Sequence, residues 1–327
     1  MGAFFLASVI GLATSTPLFQ KEWACVQSIS GKGPVRYVAF TPDAKKLVWW
    51  NGRTVTVYDV GARKTLHQME APSEAVDDSV RLSSDGRLIV AGVDHRETVL
   101  LKVWRVDSGR LLSERKIDAK NWLGRLDVSP DATTVCIATV TDVHLVDLAL
   151  GKSKKTFGGI ANDCRFSPDG RMFAIAEMFL DPNPFIRQPT VTVWELGTGK
   201  RVKSIEDSVY GLAFSPRNKF VALRTARNGI RIFQVDGWKE HKRIMLRDRA
   251  NVVAFSPDES MVAAGTHRGE VLVWNVATGK LITKLKAHKG RNRLFLSAGV
   301  LSLAFSRDGK LLATGGEDKR VRIWTLP

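Results

Sequence analysis

Cysteine is scarce in this sequence, with 3 residues in 327. Cys25, Cys136 and Cys164 show no C-x-x-C spacing, and an odd count leaves no complete pairing. Neither a disulfide framework nor a zinc site is expected from them. Each lies in or beside a stretch that reads as strand, where a small buried thiol is the ordinary role. Acidic residues are in deficit too: 33 Asp and Glu stand against 49 Lys and Arg, a net charge of +16. The excess is spread through the chain, without the Lys/Arg block that marks a nucleic-acid tail. Catalytic signatures are missing. There is no H-E-x-x-H, no G-x-S-x-G, no phosphate loop and no Cys/His cluster. The histidines His67, His95, His144, His241, His267 and His288 fall in different elements. No cofactor and no metal are expected, and no catalytic residue is nominated.

Residues 1–17 lack charge altogether, and none appears until Lys21. The apolar stretch is too short to span a membrane. With Ala13, Thr14 and Ser15 behind it, it resembles a secretory signal, but no Lys or Arg precedes it. Leu6 stands where a myristoylation motif wants Ser or Thr. Residues 1–17 are therefore set apart as an apolar segment, with export, anchoring and a packed extension all open. Residues 18–327 form the body of the chain. The cytoplasm is the expected location unless the segment acts as a signal.

What the body does contain is repetition. Residues 300–324 read VLSLAFSRDGKLLATGGEDKRVRIW and divide into three short strands, 301–305, 311–314 and 321–324, separated by Asp/Gly turns. Three such strands cannot bury both their faces, so the unit must stack on copies of itself. The frame recurs with Phe255 and Trp274, Phe214 and Phe233, Phe166 and Trp194, Val128 and Val146, Leu82 and Trp104, and Phe40 and Tyr58. Seven units result, at a period near the roughly 40–45 residues of one propeller blade. In five of them the anchor precedes the closing residue by 18 or 19 positions.

The F-S-P-D-G turn, the apolar run and the closing Ile-Trp or Val-Trp pair resemble WD40 repeats over nearly the whole chain after about residue 20. The resemblance implies an all-β fold, a seven-bladed WD40-type β-propeller closed by an N-terminal strand. Counting back from Phe40 places that strand at residues 23–29, which would supply the fourth strand missing after Pro327 and remove open edges. The resemblance also implies a hydrogen-bonded tetrad in the last blade, made of Thr314, Asp318, Trp324 and His288. Elsewhere the Asp position holds Gly52, Thr98, Arg227 or Arg268, so one complete tetrad is expected at most.

In a four-stranded blade, called a to d from the inside out, the b–c and d–a connections emerge on one face of the ring. The enlarged connections all fall there: the blade 2 b–c turn, residues 177–190 in blade 4, and residues 286–298 between blades 6 and 7. The a–b and c–d turns of the other face read as purely structural. The resemblance implies a non-catalytic scaffold that docks a protein partner on the loop face. The candidate partner-binding residues are Lys286, Lys289, Arg291 and Arg293, with Arg227, Arg268, Phe179 and Phe185; the charge points to an acidic partner. Two other readings stay open, a nucleic-acid or polyanion binder and a propeller enzyme. A closed ring is expected to be monomeric by itself.

Overall fold

The computed structural model describes residues 22–71, 79–95, 98–118, 122–139, 141–159, 161–177, 190–227, 229–289 and 299–327. Among these residues there are 28 strands and no helix, paired into seven four-stranded antiparallel sheets. The first strands of neighbouring sheets touch all the way round, so the seven sheets are the blades of a closed propeller. The apolar segment at residues 1–17 lies outside the described residues.

Strands b read as unbroken apolar runs because both of their faces are covered by adjacent blades. Leu312 and Ala313 in the last blade, and Phe173 and Ala174 in blade 4, are fully buried. Strands d sit at the rim and are largely exposed. The core is accordingly divided into seven clusters, each shared by two blades. The closing residue of strand c faces the preceding blade: Trp274 lies among blade 5 side chains and Trp104 among those of blade 1. Val146 takes the same seat in blade 3 and is wholly buried. In all seven blades the c–d pairing shifts register just before this residue, a bulge that turns the outer strand away.

The ring closes as the sequence implies. Ala24–Ser30 pairs with Arg320–Thr325, giving the sheet order in which the N-terminal strand is the outermost of the last blade. Gln27 also reaches sideways into blade 1, donating to the Val60 carbonyl at 2.9 Å and accepting from the Tyr58 hydroxyl at 3.1 Å. Each junction between blades is crossed by at least one polar side chain. Tyr37 Oη accepts from Leu82 N at 2.8 Å, and Arg81 meets Asp127 at 3.2 Å. Asp127 then accepts from Phe166 N, and Asp163 from Leu212 N, both at 2.9 Å. Arg224 donates to the Ala250 carbonyl, Asn251 to that of Val300, and Ser302 to that of Val35.

The a–b turns share one device. The Ser or Thr hydroxyl donates to the Asp two residues on, as in Ser167 to Asp169 and Ser306 to Asp308, and accepts from the backbone N–H five residues on. Blade 5 has Arg217 where that Asp belongs. Its place is taken by Glu259 from the turn of blade 6, which accepts from Ser215 Oγ and, at 2.8 Å, from Arg217 N. Glu259 is 7% exposed and holds φ at +64°, a conformation costly for a side-chain-bearing residue.

The reading of the cysteines is corrected here. The Sγ atoms of Cys136, in strand b of blade 3, and Cys164, in strand a of blade 4, are in bonding contact, so a disulfide joins two blades. Their separation of 28 reflects neighbouring repeats rather than a local motif, which is why spacing conceals it. Cys25, expected to be buried, is exposed on the outer strand. Two strand arginines of blade 5 are likewise held by partners. Arg224 is half-buried on backbone carbonyls, and Arg231 is held by Asp207 at 2.7 Å and Glu240 at 2.6 Å.

Glu259→Ala should destabilise the chain by about 1–3 kcal/mol, the cost of leaving buried donors unmatched. Arg217→Asp in the same chain should restore most of it, because it returns the acceptor to its usual place; chemical denaturation of the single and double variants measures this. Alkylation under denaturing but non-reducing conditions should label Cys25 alone, and reduction should expose all three thiols to a mass count. Three labels before reduction would remove the interblade disulfide.

Candidate functional site

The loop face of blade 7 holds the best-organised polar cluster. Ala287 and His288 both donate their N–H to the Gly269 carbonyl, which fixes the entry of His288 between blades 6 and 7. Strand b of blade 7 ends in Gly315 and Gly316, and a Cβ on Gly316 would stand 2.2 Å from His288 Nδ1, so glycine leaves the ring its room. His288 then spans Asp318 Oδ1 at 2.7 Å through Nδ1 and Thr314 Oγ1 at 2.9 Å through Nε2. Trp324 Nε1 donates to Thr314 Oγ1 at 3.2 Å. The structure thus brings Thr314, Asp318, Trp324 and His288 together. Arg322 joins them, donating to Asp318 Oδ2 at 2.8 Å. Its position, four residues after Asp318 and two before Trp324, was the signal for it in the sequence.

Burial pushes the His288 imidazole below its ordinary pKa, against the pull of Asp318. Burial by itself would raise Asp318, but His288 and Arg322 more than offset it and hold the carboxyl well below the usual range. A neutral His288 gives a one-way chain: Trp324 donates to Thr314, Thr314 to Nε2, and Nδ1–H to Asp318. The chain fixes the b–c turn against the entry of His288, while Arg322 Nη1 also stands 2.7 Å from Nδ1.

The other departures from the tetrad do different work. Arg268, at the Asp position of blade 6, ties to Asp248 of the preceding d–a connection at 2.9 Å. Arg227 is exposed in the b–c connection of blade 5. Trp194 donates to Thr192 of its own strand at 3.2 Å rather than to strand b. Lys286 ends strand d of blade 6 and is exposed, and Lys289 is exposed three residues later. Arg227, Arg268, Lys286 and Lys289 therefore lie on the loop face of blades 5 and 6. Arg291, Arg293, Phe179 and Phe185 lie outside the described residues. Arg249 adds an exposed cation that the sequence reading passed over, stacked 4.1 Å from the Tyr210 ring centroid.

Among the described residues no three His, Cys, Asp or Glu side chains come together as a metal set, and no helix is long and apolar enough to cross a membrane. His144 is a strand histidine bonded to Thr156 at 3.2 Å. The His241 ring packs against Phe220.

Asp318→Ala should cost about 1–3 kcal/mol by orphaning buried donors, and Arg268→Ala on the exposed side of blade 6 much less. The depressed native pKa of His288 has a definite sign in linkage. The unfolded chain takes up a proton that the folded one refuses, so stability present above pH 6.5 is lost as pH falls toward the lower native value. Melting curves at pH 7.5 and 5.5 should show that loss, and His288→Gln should flatten it.

Two family models match the chain: the WD domain, G-beta repeat over residues 279–325, and the anaphase-promoting complex subunit 4 WD40 domain over residues 212–296. A Protein LST8 homolog of Drosophila melanogaster is 24% identical over 256 residues, covering 72% of this chain and 74% of that protein. The WD repeat-containing protein SL1-17 of Schistosoma mansoni is 28% identical over 140 residues, 42% of this chain and 44% of its own. A pre-rRNA-processing protein IPI3 of Mycosarcoma maydis is 35% identical over 85 residues, 26% of this chain and 13% of its own. The chain thus spans less than half of the latter two relatives. Repeats, ring and family matches agree: the chain is a seven-bladed β-propeller whose residues 212–325 match WD40 repeat models.

Proposed function

We propose that this propeller is a non-catalytic scaffold that holds an acidic protein partner on its loop face. WD40 propellers serve as scaffolds for protein interaction, and that much holds for the family at large. The partner's charge is inferred from the face itself. Arg227, Arg249, Lys286, Lys289 and Lys319 are exposed in or beside the connections of blades 5 to 7. Four of the acids nearby are already engaged: Asp207 by Arg231, Asp248 by Arg268, Glu270 by Lys284 and Asp318 by His288 and Arg322. This cluster of exposed positive charge carries the reading, because such a surface steers and orients an oppositely charged partner.

A second reading, direct binding of RNA, draws on the net charge of +16. It also draws on relatives named for pre-rRNA and pre-mRNA processing. The two readings separate in salt. Phosphate binding weakens by about 0.7–0.9 in log K per log salt for each phosphate neutralised. A protein partner read partly by shape shows a shallower slope.

Charge reversal at Arg227, Lys286 and Lys289 to Glu should abolish recovery of acidic proteins from a source lysate and leave the melting temperature nearly unchanged. Quantitative proteomics of the eluates and a titration with a single-stranded RNA oligonucleotide decide between the readings. Steep RNA binding without protein recovery would replace the first with the second.

A further inference from the structure

The opposite face, where only structural turns are expected, carries a groove. It lies between blades 3 and 4 with a volume of about 570 Å³, inside the roughly 300–1,000 Å³ typical of ligand clefts. Its lining is apolar where the blades meet: Pro130 and Leu145 from blade 3, Phe166 and Leu196 from blade 4. The mouth is open because the c–d turn of blade 4 carries Gly197, with no atom within 4 Å of where its Cβ would stand. Asp107, Ala149 and Ala277 hold that turn position in blades 2, 3 and 6.

The charges around the mouth are unequal in what they can still do. Asp131 accepts from Ser129, Thr133 N and Thr133 Oγ1, and Asp169 from Ser167, Arg171 N and Asn218, so both carboxylates serve their turns. Lys154 is bonded to Asp147 and Thr134, each at 3.1 Å. Lys155 is different. Its ammonium lies 5.0 Å from the Phe157 ring centroid and 5.9 Å from that of Trp194, and no carboxylate meets it among the described residues. A Cβ on Gly199 would stand 2.6 Å from Lys155 Nζ, so a glycine makes room for the cation. The groove therefore offers an apolar seat beside one positive charge, placed on an aromatic ledge and lacking a counter-ion.

We propose that this groove is a docking site for an extended peptide segment, seating one aliphatic side chain on Leu145, Phe166 and Leu196 and setting a carboxylate against Lys155. Alternate residues of an extended chain point the same way about 6–7 Å apart, so one segment can present both groups to one cleft. The Lys155 ammonium gives a carboxylate a partner on the Phe157 and Trp194 side of the groove, while Asp131 and Asp169, which keep their negative charge, bound the other side. This site is separate from the loop face and independent of the scaffold reading.

The test uses the full chain and a fluorescein-labelled hexapeptide of alternating leucine and aspartate, read by fluorescence polarisation. Control probes replace leucine by serine or aspartate by lysine. Lys155→Glu removes the cation, and Gly197→Phe fills the mouth at a position with room for a side chain. Each should weaken the leucine–aspartate probe at least tenfold while the circular-dichroism melt stays near wild type. Both control probes should bind at least tenfold more weakly to the unaltered chain. The loop-face triple variant Arg227→Glu, Lys286→Glu, Lys289→Glu should leave the probe's affinity unchanged. The proposal is overturned if the probe does not saturate, if both groove variants bind it normally, or if only the loop-face variant loses it. That last outcome would leave the scaffold reading standing.

Discussion

A propeller has no central core. Each blade is too thin to bury its own faces, and apolar contact between blades resists separation but tolerates sliding. What fixes the rotation of one blade against the next is the polar crossing at each inner junction, from Tyr37 and Leu82 round to Ser302 and Val35. These bonds are directional and partly or wholly buried, so a blade that slips leaves backbone groups unmatched. They are also chemically uneven. Blades 2 to 6 are joined through charged groups, Arg81, Asp127, Asp163 and Arg224, whereas the innermost side-chain crossing from blade 7 to blade 1 is a serine. The family repeat specifies the blade, and idiosyncratic side chains specify the ring.

Much of this was legible in the sequence. The repeat gave seven units, and the missing last strand led back to the N-terminus, where the observed strand lies within one residue of the expected one. Periodicity and turn chemistry carry that information because they recur in every copy. The pieces that stayed hidden do not recur. Glu259 acts for Arg217 across a blade boundary, and Cys136 meets Cys164 across another. Arg224 and Arg231 alternate like surface residues yet are bound to partners in other segments. A contact made once, between residues far apart in the chain, leaves no pattern to read.

The candidate sites divide the same way. The Thr314, Asp318, Trp324 and His288 bonds follow a family pattern and could be located from it. The Lys155 groove follows none, since it depends on a glycine pair in one c–d turn and on two aromatic rings from different strands. The two faces of the ring are thus differently equipped, one with dispersed cations on connections and the other with a confined cleft.

The pairing that closes the ring has a mechanical side. Ala24 stands opposite Thr325, and Ser30 opposite Arg320, so the strand entering the fold and the strand leaving it run antiparallel with their outer ends together. Tension applied through the two ends would concentrate on the Ala24–Thr325 pair and advance one pair at a time, as a zip opens, instead of loading the whole ladder in shear. A ring that heat must melt as a unit can therefore be undone by a small pull, beginning at the seam.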